Sequence, residues 1–272
     1  MVKYNIKHIF LLKLLFMIKC TYISKEINHD SIIKLVVSGK GIQKFLSNSY
    51  IYEPSEVIIN GISKGNICKK SCTLDYSINN ITLIFNYSID TCKYMFEGLK
   101  NITQIDLKNF DTSGVTDMTW MFRFCVNLES IDVSKFNTSL VKSMYCMFCN
   151  CYKLIELNLS NFDTSQVTDM NDMFSGCYDL KNLDLSNFVT SNVTSMNNMF
   201  SRCYDLIYLD LSNFNTSKVS SVESMFYGCE SLISLNLYSF KIKKGVKKDM
   251  FNSGINSKVK YCINDIETKI IY

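Results

Sequence analysis

Histidine is nearly missing from this 272-residue chain: His8 and His29 are the two present, and both stand near its start. A serine–histidine or cysteine–histidine catalytic pair therefore has no base in the rest of the chain. Proline occurs once, as Pro54, and the ten glycines are spread through the chain without a Gly-rich loop that could cradle phosphate. Charge of one sign is also scarce: a net +4, scattered along the chain, gives no footprint for nucleic acid. Beyond the first twenty residues no apolar run is long enough for a membrane-spanning helix. These gaps leave no catalytic motif and no cofactor-binding motif, so the sequence predicts a protein that is not an enzyme.

What the chain has instead is repetition. Met-Phe recurs at 95–96, 121–122, 147–148, 173–174, 199–200 and 225–226, each pair 26 residues after the last. A fixed period of this length is the mark of stacked coils, each burying its apolar side against its neighbours. The unit that opens at Leu154 carries Leu157, Leu159, Phe162, Val167, Met170, Met173, Phe174 and Cys177, and adding 26 gives the same columns from Leu180 to Cys203. Leu157-Asn158-Leu159 alternates as a short strand does. Val167, Met170, Met173, Phe174 and Cys177 follow at steps of three, three, one and three, which predicts a short helix. Asp163-Thr164-Ser165 between them has the side chains of a helix cap.

The pattern L-x-x-L-x-L-S-x-F-x-T-S-x-V-x-x-M-x-x-M-F-x-x-C closely resembles the 26-residue repeat of BspA-like leucine-rich-repeat surface proteins, most clearly at Leu154–Asp179 and Leu180–Asp205. The resemblance covers about Ile102 to Phe251. It implies an α/β fold, a right-handed leucine-rich-repeat solenoid of short parallel strands and short helices, on an exported protein that binds host or matrix partners. Phe162 and its copies stand where that family usually has a ladder asparagine.

Residues 25–92 read as a strand-rich N-terminal cap with a degenerate first coil, from the β-branched runs Ile32–Val37 and Glu56–Asn60. The array then spans 93–257, and 258–272 form a C-terminal tail. Met1–Cys20 has Lys3 and Lys7 ahead of an apolar centre and predicts a signal peptide; an uncleaved anchor and a lipoprotein cleavage at Cys20 are the alternatives. Seven N-x-Ser/Thr triplets, beginning at Asn80, Asn86, Asn101, Asn137, Asn158, Asn192 and Asn215, carry meaning only in a secretory route that glycosylates.

Of twelve cysteines, Cys125, Cys151, Cys177, Cys203 and Cys229 fall in one column and predict buried free thiols. Cys68, Cys72 and Cys92 lie outside it and are the disulfide candidates. Cys146-x-x-Cys149-x-Cys151 approaches metal-ligand spacing, but Cys151 belongs to the packing column, so no metal site is expected. Asp106, Asp132, Asn158, Asp184, Asp210 and Asn236 form an outward file, read as a solvated ladder in preference to a calcium site. Tyr152, Tyr178 and Tyr204 form a second file, either a contact surface or packing between coils.

Beside the Asp/Asn file, Ile155, Ile207, Tyr208 and Ile233 are apolar residues at positions expected to face solvent, with Glu156 and Lys181 among them. These six are the candidate partner-binding residues; strand-face binding is also what the resemblance implies. The sequence thus predicts a secreted or cell-surface module for an extracellular protein or glycan, with no nucleic acid partner. The competing reading is a coat or matrix protein that associates with copies of itself.

Overall fold

A computed structural model describes residues 30–65, 67–241, 250–251 and 259–263. The chain divides into two units, Met1–Asp30 and Ser31–Tyr272, and the strands and coils all belong to the second. The predicted signal segment, the lysines at 243–248 and most of the predicted tail lie outside the described residues.

The first strands follow from period-two alternation. In β1 (Ser31–Ser38) Ile33, Leu35 and Val37 are buried while Lys34 faces out, and in β6 (Ile78–Phe85) Ile81, Leu83 and Phe85 are buried. With β3 (Glu56–Ile59), β4 (Ile62–Ser63), β7 (Ile102–Asn109) and β8 (Ser130–Asp132) they form a six-stranded sheet in the order β4-β3-β6-β1-β7-β8. β1 is antiparallel to both β6 and β7, whereas β7 and β8 are parallel. Tyr76 is exposed and Ile81 and Ile84 belong to this antiparallel sheet, so coil stacking starts at the bridge between Thr91 and Asp117. β2 (Gly41–Lys44) pairs antiparallel with β5 (Ser71–Leu74), and a disulfide joins Cys68 to Cys72. Cys92 is a free, buried thiol.

From there the chain repeats. Isolated parallel bridges run Thr91, Asp117, Ser143, Asp169, Ser195, Ser221, always one period on. Near the end β9 (Tyr208–Asp210), β10 (Ser234–Leu237) and β11 (Lys260–Ile263) make a parallel three-stranded sheet. The inward columns form one continuous core. Phe96, Phe122, Phe148, Phe174, Phe200 and Phe226 are fully buried and stack face to face, centroids 5.3–6.0 Å apart and planes within 11°. Each such ring contributes roughly 2–3 kcal/mol by burial.

The expectation of an α/β leucine-rich-repeat solenoid with short helices is overturned, because no residue from 93 to 240 is helical. The helix-spaced residues Val167, Met170, Met173, Phe174 and Cys177 are indeed buried, but a different backbone delivers them. Asp172 and Gly176 have φ of 56° and 74°, and the same two columns are left-handed in every coil: Tyr94 and Gly98, Trp120 and Phe124, Cys146 and Asn150, Asn198 and Arg202, Ser224 and Gly228. A left-handed residue at every fourth place stops an α-helix. The amides then alternate in use. Met173 N, Ser175 N and Cys177 N close local turns onto Met170 O, Asp172 O and Phe174 O. Asp172 N, Phe174 N and Gly176 N donate to the next coil, at Asn197 O, Met199 O and Ser201 O (2.8, 3.0 and 2.7 Å). Successive turns thus place apolar side chains inward about every third residue while half of the amides tie coil to coil.

Side chains stitch the coils further. Thr112, Thr138, Thr164 and Thr190 are buried and not helix caps. Thr164 Oγ1 donates to Val189 O at 2.9 Å and accepts from Val189 N at 2.8 Å, and the other three make the same pair of bonds to their own next coils. A ladder asparagine exists after all, one place before the phenylalanine. Asn187 Nδ2 donates to Leu159 O and Phe162 O, Asn213 Nδ2 to Leu185 O and Phe188 O, and Asn161 Nδ2 to Ser134 O.

Candidate interaction face

Alternation in the strand segment turns one residue set inward and the rest out. Leu154, Leu157 and Leu159 are buried and Ile155, Glu156 and Asn158 exposed, and the next coils follow suit. The parallel register then stacks equivalent outward residues. Ile207 N donates to Lys181 O at 3.1 Å and Ile233 N to Ile207 O at 2.9 Å, so Lys181, Ile207 and Ile233 are successive rungs. Tyr208 pairs with Asn182 on one side and Ser234 on the other. Of the six predicted residues, Ile155 (53%), Tyr208 (57%) and Ile233 (47%) are exposed apolar groups, Glu156 and Lys181 are exposed, and Ile207 is half-buried between its neighbours.

The face does not stop at the first coil. Across the antiparallel joint Lys34 stands opposite both Thr82 and Asp106, and Val36 opposite Asn80 and Gln104, while Gln104 and Asp106 face Ser130 and Asp132. Two open grooves of about 400 and about 490 Å³ lie on it and share Ile131 and Asp132. The contribution of Lys34 and Lys108 was not foreseen. The outward parity of Lys34 within Ile32–Val37 was visible, but its pairing partner was not.

The carboxylate file serves the backbone. One oxygen of Asp106, Asp132, Asp184 and Asp210 accepts the amide two residues on, at Lys108, Ser134, Ser186 and Ser212, within 2.8–3.0 Å. Asn158 and Asn236 make the same turn. Hydrogen bonds from Ser134, Ser186 and Ser212 hold the carboxyls of Asp132, Asp184 and Asp210 below their ordinary pKa. Lys108 Nζ reaches Asp132 Oδ2 at 3.2 Å. Among the described residues, no three histidine, cysteine, aspartate or glutamate side chains are grouped to hold a metal ion.

The tyrosine file turns its faces upon itself. Tyr152 and Tyr178 stack at 4.3 Å and 3°, and Tyr178 and Tyr204 lie 4.7 Å apart at 37°. Ring faces used in this way are not open to a ligand. The column thiols are equally inward: Cys125, Cys151, Cys177, Cys203 and Cys229 are free and fully buried, each with its sulfur 3.1–3.2 Å from the carbonyl of the phenylalanine 29 residues earlier. Burial pushes the thiols of Cys125 and Cys229 up to about 12.

No curated protein and no solved structure matches the chain. A family model described as "Mycoplasma protein of unknown function, DUF285" matches it twice, over residues 71–158 and 152–262. The two matches lie on the stacked coils and their junction with the first sheet, and together they cover well over half of the sequence. The chain is therefore a repeat protein that belongs to the DUF285 family.

Proposed function

We propose that this is a secreted or surface-exposed binding module whose outward strand face engages an extracellular protein or glycan. The observation that carries the reading is the exposure of Ile155, Tyr208 and Ile233 on rungs held in register by parallel bonds. The buried columns behind them already have their packing, so these three contribute nothing to the core. Apolar groups gathered on a rigid outward face mark contact sites, and a preformed surface binds with little ordering cost. The likeness of the repeat to that of BspA-like surface proteins supports export and an adhesive role.

A binding screen of the full chain against extracellular proteins and glycans finds the partner. Tyr208→Arg with Ile233→Asp is then expected to abolish binding while leaving circular dichroism and melting temperature nearly unchanged. Binding that survives this pair of changes removes the face from the reading. A molar mass that climbs with concentration in light scattering, and falls back in the double variant, would instead make the partner a second copy of the chain.

A further inference from the structure

Two cysteines do not fit the packing pattern. Cys92, Cys125, Cys151, Cys177, Cys203 and Cys229 are wholly inaccessible, whereas Cys146 and Cys149 retain 4% and 7% exposure. Their columns are only partly buried: one coil earlier the same places hold Trp120 and Arg123, and one coil later Asp172 and Ser175, all four half-buried. The core-packing explanation that serves Cys151 and Cys177 therefore does not reach them.

Their geometry is that of a pair. Cys149 N donates to Cys146 O at 3.3 Å, and Cys146 takes a left-handed φ of 52°. A turn closed in this way keeps its ends within about 7 Å, and a disulfide spans Cα atoms about 4.4–6.8 Å apart. The neighbouring Cys149 side chain, and after it burial, pushes the Cys146 thiol well above its ordinary value. Asn150 Nδ2 donates to Cys149 Sγ at 3.2 Å. Cys149 is the more exposed of the two residues, at 7% against 4%. The chain also carries an oxidised pair, Cys68–Cys72, and disulfides persist where the surroundings oxidise.

We propose that Cys146 and Cys149 are a reversible dithiol–disulfide site for a low-molecular-weight disulfide, with Cys149 as the attacking sulfur. Cys149 loses its proton and its thiolate attacks the small disulfide. The S–S bond of the reagent breaks, and one of its halves leaves as a thiolate that takes up the proton. Cys146 then gives up its own proton as its sulfur attacks Cys149 in the mixed disulfide, and the second half leaves as a thiol. Two protein thiols are oxidised and one small disulfide is reduced to two thiols. Trp120, the single tryptophan of the chain, stands one rung before Cys146 in the same column and reports the change.

The test uses the full chain, treated briefly with dithiothreitol and then with oxidised glutathione. Peptide mass spectrometry is expected to show Cys146 and Cys149 joined, with Cys151 and Cys177 still thiols and Trp120 fluorescence shifted, and dithiothreitol should reverse both changes. Cys146→Ser should stop at glutathione bound to Cys149, and Cys149→Ser should leave Cys146 unmodified. Two free thiols in the folded protein, at glutathione levels that oxidise the same peptide after unfolding, would overturn the proposal. So would equal modification of Cys177 and Cys149. If either variant fails to show the native melting transition, the wild-type peptide map decides alone.

Discussion

At Thr164 a single hydroxyl serves as donor to Val189 O and acceptor from Val189 N, inside a fully buried column. Thr164→Val keeps the shape and strands both backbone groups, each at about 1–3 kcal/mol. Thr164→Ser keeps the bonds and loses only a methyl, so it should cost much less. Urea unfolding of the two variants separates bonding from packing, and equal losses would deny the stitch. Phe174→Ala should cost about 3–5 kcal/mol, since the ring lies between Phe148 and Phe200 at 6.0 and 5.7 Å. Asn171 reads from sequence as a dispensable outward residue. Its Oδ1 instead accepts from Ser195 Oγ at 2.5 Å and Asn197 N at 2.7 Å, so Asn171→Ala should cost about 1 kcal/mol. Such pairings across a period were illegible: the sequence says which residues share a column, not which polar atoms of adjacent columns meet.

The turn-rich segment of each coil shows where reading by periodicity succeeds and fails. Apolar steps of three, three, one and three correctly mark Val167 to Cys177 as inward. They do not identify the backbone, because a helix and a run of tight turns both return a side chain to one face every three or four residues. The warning lay in the column Gly98, Asn150, Gly176 and Gly228, residue types that tolerate positive φ, and the structure gives all four a left-handed backbone. It was masked by Phe124 and Arg202, which take the same conformation. Gly176→Ala tests the element: it forces a Cβ into φ 74° against Asn150 Oδ1. The left-handed cost of about 1–2 kcal/mol plus that clash should appear as a lower urea midpoint. Far-ultraviolet circular dichroism of the wild-type chain should lack the helical double minimum, and a strong minimum at the helical wavelengths would restore the helix.

Over the whole molecule the buried thiols and the turn carboxylates set opposite ends of one pH window. The carboxyls of Asp132, Asp163, Asp184 and Asp210 titrate lower folded than unfolded. Their contribution is present above the unfolded value of about 4 and is lost as pH falls through the folded one. The column thiols titrate higher folded than unfolded, with Cys125 and Cys229 at about 12. Their contribution is intact below about 8.5 and declines as the unfolded chain ionises, by about 1.4 kcal/mol per pH unit for each thiol. Melting temperature should therefore be level near neutrality, fall below about pH 4, and fall more steeply above about pH 9. Cys177→Ala should flatten the alkaline limb relative to wild type despite a lower starting stability. An alkaline limb of unchanged slope would mean that the column is already ionised or oxidised.

The amides that run from each coil to the next also decide how the molecule meets a pulling force. Phe122, Phe148 and Phe174 donate to Met147, Met173 and Met199 along one direction, and the coils follow one another in sequence order. Tension applied through the two ends of the array therefore acts along those bonds. Every coil carries the same load, but the outermost is held by a neighbour on one side only, so rungs separate in succession from the end. Each coil that lets go frees 26 residues, about 90 Å of extended chain. An array built this way lengthens in steps while the remaining coils keep their outward faces intact.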